Sequence, residues 1–171
     1  MYLTELDELV GDDYEVHVKL SEIFDGQRVL FQRRGNRLVV LSKKPIAESN
    51  DILSILKTIK TGSEFLFVIR MNPVVTRFID GKNHRVALEQ PNIKSWIDQI
   101  FSKHGFTADF AFKIEGIRRS RKENHTISLS SVLVNGILIV SDPVQFRKSL
   151  ESGIGHGKGL GFGFLNIFDF A

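Results

Sequence analysis

The sequence predicts an α+β fold made of two antiparallel sheets, each covered by helices on one face. Three observations carry this reading. Short apolar strands alternate with helical periodicities, the first half runs in the order βαββαβ, and a similar order returns in the second half. Residues 2–6 read as an opening strand, with Leu3 and Leu6 keeping the alternation only in part. Asp12 or Asp13 caps a helix over 14–24, where Val16, Leu20, Ile23 and Phe24 recur at helical spacing, and Asp25-Gly26 ends it. Strands at 29–32 and 38–41 are joined by Arg33-Arg34-Gly35-Asn36-Arg37, with Gly-Asn at the tip. A second helix at 52–59 is capped by Asn50 or Asp51, and an apolar strand at 65–69 stops before Pro73.

In the second half, 92–104 is a helix with Ile93, Trp96, Ile97 and Ile100 on one face, closed by Gly105. Residues 106–114 alternate Phe106, Ala108, Phe110 and Phe112, a half-buried strand. Strands at 127–134 and 137–140 form a hairpin around Asn135-Gly136, the strongest short turn signal in the chain. Pro143 opens a helix over 146–150, and 160–167 is a last strand. The opening strand of this half is expected within 74–88. The architecture expected is therefore two tandem ferredoxin-like (RRM-like) βαββαβ modules, residues 1–85 and 86–171. The absence of a Pro- or Gly-rich linker implies that they pack together.

Composition narrows the chemistry. With 42% hydrophobic residues and no low-complexity tract, the 171-residue chain reads as fully folded. Zero cysteines excludes disulfides, thiolate metal sites and cysteine nucleophiles, and agrees with a reducing cytoplasm, the expected location. The N-terminus lacks the pattern of a signal peptide, and no stretch is long enough for a membrane span. The net charge of +3 hides an asymmetry. Glu5, Asp7, Glu8, Asp12, Asp13 and Glu15 are six acids with no Lys or Arg among residues 1–15, leaving 23 basic residues against 14 acidic ones in the remainder. Lys113, Arg118, Arg119, Arg121 and Lys122 form one basic cluster, and Arg70, Arg77, Lys82 and Arg85 a second. Clusters of this kind favour a polyanion such as nucleic acid; a merely solvated face is the bland reading of either alone.

Six of the fourteen glycines fall between Gly153 and Gly163. Gly153, Gly155, Gly161 and Gly163 follow the pattern Gly-apolar-Gly, five residues including Lys158, Gly-x-Gly, which suits a phosphate-bearing partner. A Walker loop is excluded because Ser152 and Gly159 stand where glycine and Ser or Thr are required. No G-x-G-x-x-G register fits, since Lys158, Leu160, Phe162 and Phe164 occupy the third glycine's place. Lys158 to Phe162 approximates an RRM stacking strand but lies at the wrong end of the chain for one. A ligand-free turn is the plain alternative for the glycines themselves.

Of the five histidines, none has metal-ligand spacing, and none is followed two residues later by Ser or Thr, which excludes the two-histidine phosphodiesterases. No metal and no cofactor are expected. His104 before Gly105 reads as a helix C-terminal residue, His84 and His125 as solvated loop positions, and His156 as a phosphate contact or a tolerated loop residue. Tyr14 and His17 share one helix face at the margin of the apolar stripe. Such a pair is more often structural. With a basic surface it also suits proton transfer at a ribose 2′-hydroxyl or a leaving 5′-oxygen, where RNA supplies its own nucleophile.

Four segments then match a known pattern: Met1-Tyr2-Leu3-Thr4, Tyr14-Glu15-Val16-His17, Arg70-Met71-Asn72-Pro73, and Gly153-Ile154-Gly155 through Gly161-Phe162-Gly163. In this order the chain resembles the CRISPR repeat-processing endoribonucleases of the RAMP superfamily, of the CasE type that serves Cascade. The resemblance implies metal-independent cleavage of precursor CRISPR RNA within the repeat, leaving 2′,3′-cyclic phosphate and 5′-hydroxyl ends. It implies His17 as general acid or base and Tyr14 as the residue positioning the scissile phosphate or ribose. It places Arg118 to Lys122 on a basic hairpin entering the groove of the repeat stem, with phosphate and shape contacts dominating. RNA contacts are expected from Arg77, Arg85, Lys113, Arg118, Arg119, Arg121, Lys122, Lys158 and the glycines at 153, 155, 161 and 163. The implied partners are the repeat RNA hairpin and Cascade subunits, with a monomer outside that assembly. Some members carry a lysine after the catalytic histidine; here Glu22 and Asp25 lie in that stretch, with Lys19 or Arg28 as substitutes, and slow turnover is expected. The alternative reading is a RAMP protein that holds the repeat without cutting it.

Overall fold

In the computed structural model, which describes residues 1–46 and 49–168, the chain forms two four-stranded antiparallel sheets and a separate two-stranded ribbon. The first sheet comprises β1 (Tyr2–Asp7), β2 (Leu30–Arg34), β3 (Arg37–Ser42) and the short β4 (Asn50–Asp51), in the order β2-β3-β1-β4. Helix α1 (Asp13–Ile23) connects β1 to β2 and buries Val16, Leu20 and Phe24 against Phe31, Leu38 and Val40. The other face of this sheet is covered too. Leu30, Val39 and Leu41 pack on Phe164 from the far end of the chain, so β3 is buried along nearly its whole length. A strand covered on both faces needs a continuous apolar run, and Leu38-Val39-Val40-Leu41 supplies it.

The second sheet comprises β5 (Glu64–Met71), β8 (Phe106–Lys122), β9 (His125–Val140) and β10 (Asn166–Phe168), in the order β10-β5-β9-β8. Helices α3 (Gln90–Lys103) and α4 (Pro143–Ser152) cross over between β5 and β8 and between β9 and β10. That is a ferredoxin-like βαββαβ module, and together with the first sheet it gives the expected tandem architecture. Phe65, Phe67, Ile69 and Met71 alternate toward Ile93, Ile97 and Phe101 of α3, and Phe101 packs on Phe106 with ring centroids 4.6 Å apart. The small helix α2 (Leu53–Thr58) leads from β4 into β5, with Asp51 accepting a hydrogen bond from the Leu53 amide.

Five expectations are corrected. The strand at 65–69 does not close the first sheet: β5 pairs with β9 and β10 and opens the second module, because its alternating face fits the larger core. Its expected place beside β1 is taken by β4, and a division at 85/86 separates β5 from the strands it pairs with. Residues 74–88 hold instead the ribbon of β6 (Val74–Ile79) and β7 (Lys82–Ala87), turned at Asp80-Gly81, both at positive φ. Asn135-Gly136 is no turn. β9 runs straight through it, pairing Asn135 with Ala111 and Gly136 with Phe110, and a Cβ on Gly136 would lie 2.1 Å from the Asp109 carbonyl oxygen. The hairpin turns at Glu123-Asn124, twelve residues earlier. Finally, only 166–168 of the last predicted strand is extended; Lys158–Leu160 is a 3-10 turn. Among the described residues no helix is long and apolar enough to cross a membrane.

Candidate active site

Helix α1 starts with a capping box. Asp12 accepts from the amides of Tyr14 at 2.8 Å and Glu15 at 3.0 Å, and Glu15 accepts in return from the Asp12 amide at 2.8 Å. With Val16 and Leu20 fully buried, the register leaves Tyr14 and His17 half-buried on the flank, ring centroids 6.3 Å apart. Among the described residues the His17 ring has no hydrogen-bond partner. It lies against the Gly-rich loop, where a Cβ on Gly159 would sit 3.4 Å from His17 Cε1. At Gly159, therefore, a side chain would come into van der Waals contact with the imidazole.

The basic end of the β8–β9 hairpin reaches back to the start of α1. Asp13, 7% exposed in its side chain, accepts two hydrogen bonds from Arg118, at 2.8 and 2.9 Å, and a third from Arg33 at 3.3 Å. The Asp13 carboxylate raises the Arg118 pKa, against burial, which lowers it. The Arg121 amide donates to Asp12 at 2.7 Å, and the Lys122 ammonium lies 5.8 Å from the centre of the Tyr14 ring. Burial alone would raise the Asp12 pKa. The hydrogen bonds from Arg121, Glu15 and Tyr14 and the Arg121 charge hold it below the ordinary carboxylate value.

The Gly-rich loop is folded on itself. The Ile154 amide donates to the Gly163 carbonyl at 2.8 Å, and the Gly163 amide to the Arg70 carbonyl at 2.7 Å. A Cβ on Gly163, at φ +73°, would meet the Ile154 oxygen at 2.2 Å, so this residue must be glycine for the two strands of the loop to touch. Lys158 donates to the Ser152 and Gly153 carbonyls at 2.9 and 2.7 Å, capping the C-terminus of α4. Burial and the nearby Arg28 charge lower its pKa.

The residues singled out from the sequence therefore divide. Tyr14, His17, Lys122 and the Gly-rich loop come together. Arg118 faces α1 and is held by Asp13, whereas Arg119 and Arg121 alternate to the opposite face of the strand, and Lys113 lies further back on the outer face of the sheet. Lys158 is engaged by α4. Gly153, Gly161 and Gly163 are buried packing positions, and Gly155 is open. Arg77 and Arg85 occupy opposite faces of the ribbon, paired in register with His84 and Thr76. Arg70 is neutralised by Glu115 at 2.7 Å. Lys19 bonds the Val10 carbonyl, and Arg28 stands near Lys158. His104 is the C-cap of α3, its amide donating to the Ile100 and Phe101 carbonyls, while its ring bonds Ser149 at 2.7 Å. Among the described residues no three His, Asp or Glu side chains converge.

Sequence reasoning missed Asp13, which reads only as a second capping candidate, and Gly159, which lies in the five-residue stretch between the two Gly-x-Gly pairs. It also passed over Asn72, although the Arg70-Met71-Asn72-Pro73 segment had drawn attention to that stretch.

A family described as CRISPR associated protein matches residues 6–168. The chain belongs to that family. Among its curated relatives is the CRISPR-associated endoribonuclease Cse3 of Thermus thermophilus, 28% identical over 123 residues, which are 64% of this chain and 57% of the relative. The chain thus spans a little over half the length of that relative. Similar solved structures include the CRISPR endoribonuclease Cse3 bound to a 19-nucleotide RNA, with TM-score 0.75, 24% identity and 99% and 100% of the two chains covered. Cas6e from Escherichia coli K-12 aligns with TM-score 0.74 at 18% identity over 98% of each chain. A chain of a CRISPR RNA-guided surveillance complex aligns with TM-score 0.77, also at 18% identity and 98% of each chain. The resemblance to the CasE type drawn from the sequence agrees with the family match, and the structural likenesses bear on the fold.

Proposed function

We propose that this CRISPR-associated protein is an endoribonuclease that processes precursor CRISPR RNA by cutting within the repeat. In this reading the 2′-hydroxyl attacks the adjacent phosphorus and the bond to the 5′-oxygen breaks. The 2′-proton leaves to a base and the departing 5′-oxygen gains one, which yields a 2′,3′-cyclic phosphate and a 5′-hydroxyl without metal. His17 carries one of these proton transfers and Tyr14 positions the phosphate or ribose. Lys122, Arg28 and Lys158 supply positive charge nearby for the phosphorane. Arg77, Arg85, Lys113, Arg119 and Arg121 remain for the RNA backbone, with Arg118 acting through Asp13 to hold the arm. The product stays bound and enters Cascade; outside it the protein is a monomer.

The observation that supports this most is the unpartnered imidazole of His17, half-buried between a capped helix, a Gly-rich loop and a basic arm. A structural histidine in such a place would be expected to hold a partner. The test is single-turnover cleavage, in EDTA, of the repeat RNA from the array beside the gene. Cleavage that His17→Ala removes while binding persists, and that a 2′-deoxy scissile nucleotide blocks, is expected. Tight binding with no cleavage by the wild-type chain would overturn the enzyme in favour of a repeat-holding RAMP protein.

A further inference from the structure

Beside the loop that meets His17 lies a cleft of 440 Å³, between that loop, the β6–β7 ribbon and β9. Its polar lining is Asn72, Arg85, Ser128, Ser130 and His156, without any carboxylate, and its apolar walls include Leu129 and Leu160. The volume is that of a small-molecule site. Asn72 is 5% exposed, and its Oδ1 is the one buried side-chain polar atom without a hydrogen bond among the described residues. Such an orphan in a native protein calls for a reason. Arg85 points to this side of the ribbon with Val74 and Ala87. Burial, and then the charges of Arg85 and Lys158, lower the His156 pKa, a set of like charges that an anion would relieve. His156 precedes Gly159 by three Cα steps, at most about 11 Å, so the cleft and the His17 face are two sides of one loop.

We infer that this cleft is a nucleotide subsite. It takes one unpaired ribonucleotide within two positions of the scissile phosphate, its base edge on the Asn72 amide and its phosphate between Arg85 and His156. The Asn72 Oδ1 is enclosed, so the amide nitrogen is the group that donates to an acceptor on the base edge, and the leucines flank the base plane. Ser128 and Ser130 of β9 also line the cleft. The inference rests on the proposed action on RNA and adds to it a base preference at one position near the cut.

The experiment uses the full chain and repeat hairpin RNAs carrying a single abasic residue at each position within two of the scissile phosphate. Cleavage rate, and affinity with His17→Ala to prevent turnover, are measured with and without Asn72→Ala. One position is expected at which base loss costs the Asn72-containing protein about 5–20-fold and the Asn72→Ala protein almost nothing. Should Asn72→Ala fail to fold, Arg85→Ala, at an exposed ribbon position, is paired with a methylphosphonate at the same nucleotide; their effects are expected not to add. Equal sensitivity to every abasic position with and without Asn72, or additive effects at Arg85, would overturn the subsite while leaving cleavage intact. A wild-type chain that neither binds nor cuts the RNA would remove the functional reading and the subsite together.

Discussion

Replacing Asp13 with alanine removes both side-chain hydrogen bonds of Arg118 and one of those of Arg33. A hydrogen bond to a charged group contributes about 1.5–3 kcal/mol, whereas an exposed ion pair contributes about 0–1 kcal/mol. Asp13, at 7% side-chain exposure, lies near the first case, and Arg118, at 31%, part-way to the second. An Asp13–Arg118 coupling of about 1.5–2.5 kcal/mol is therefore expected. Arg33 keeps Glu8 and the Gly11 carbonyl, so the single substitution costs about 2–4 kcal/mol. Urea denaturation of Asp13→Ala, Arg118→Ala and the double variant measures the coupling directly. The functional sign is opposed to simple charge counting. Deleting an acid beside a basic arm raises affinity for a polyanion if only net charge matters, but lowers it if Asp13 holds Arg121 and Lys122 in place. A coupling below about 0.5 kcal/mol, or tighter RNA binding by Asp13→Ala, would refute the argument.

Gly159→Ala is expected to leave stability within about 1 kcal/mol, because Gly159 is outside the left-handed region, while its methyl comes into van der Waals contact with the imidazole, limits the ring's movement and slows cleavage about 2–10-fold. Thermal melts and single-turnover rates separate the two effects; an unchanged rate would remove the loop from the site. The folded-state pKa of His104 is lowered, first by burial and then by Lys158. The unfolded chain therefore takes up its proton first, and stability falls as pH drops from the ordinary histidine value of about 6.5 toward the lower folded one. His104→Gln is expected to flatten the dependence of Tm on pH in that window, and an unaltered slope would show the titration to lie elsewhere.

Local signals were the legible part of this fold. The Asp12 cap, the α1 stripe and the Gly35-Asn36 turn depend on a few neighbouring residues, and all three hold except that Ile23 of the stripe is exposed. What failed depended on distant partners. Asn135-Gly136 has the composition of a turn, yet apolar alternation continues on both sides of it, and the strands β5 and β8 pair along it from either side. The turn at Glu123-Asn124 carries no such signature; its position follows from the register of the long arm. Likewise the sequence identifies a basic cluster but not which of its members an acid 105 residues away will occupy, as Asp13 does Arg118. The candidate site was legible in its titratable residue, and illegible in the glycine and carboxylate that set its surroundings.

His17 and the glycine it rests on stand about 140 residues apart. A chain emerging from the ribosome therefore presents the helix long before its counterpart exists, and closing so wide a loop is an entropic cost met only when the second module has formed. The surroundings of this imidazole are therefore assembled from both modules at once, and neither module alone presents them.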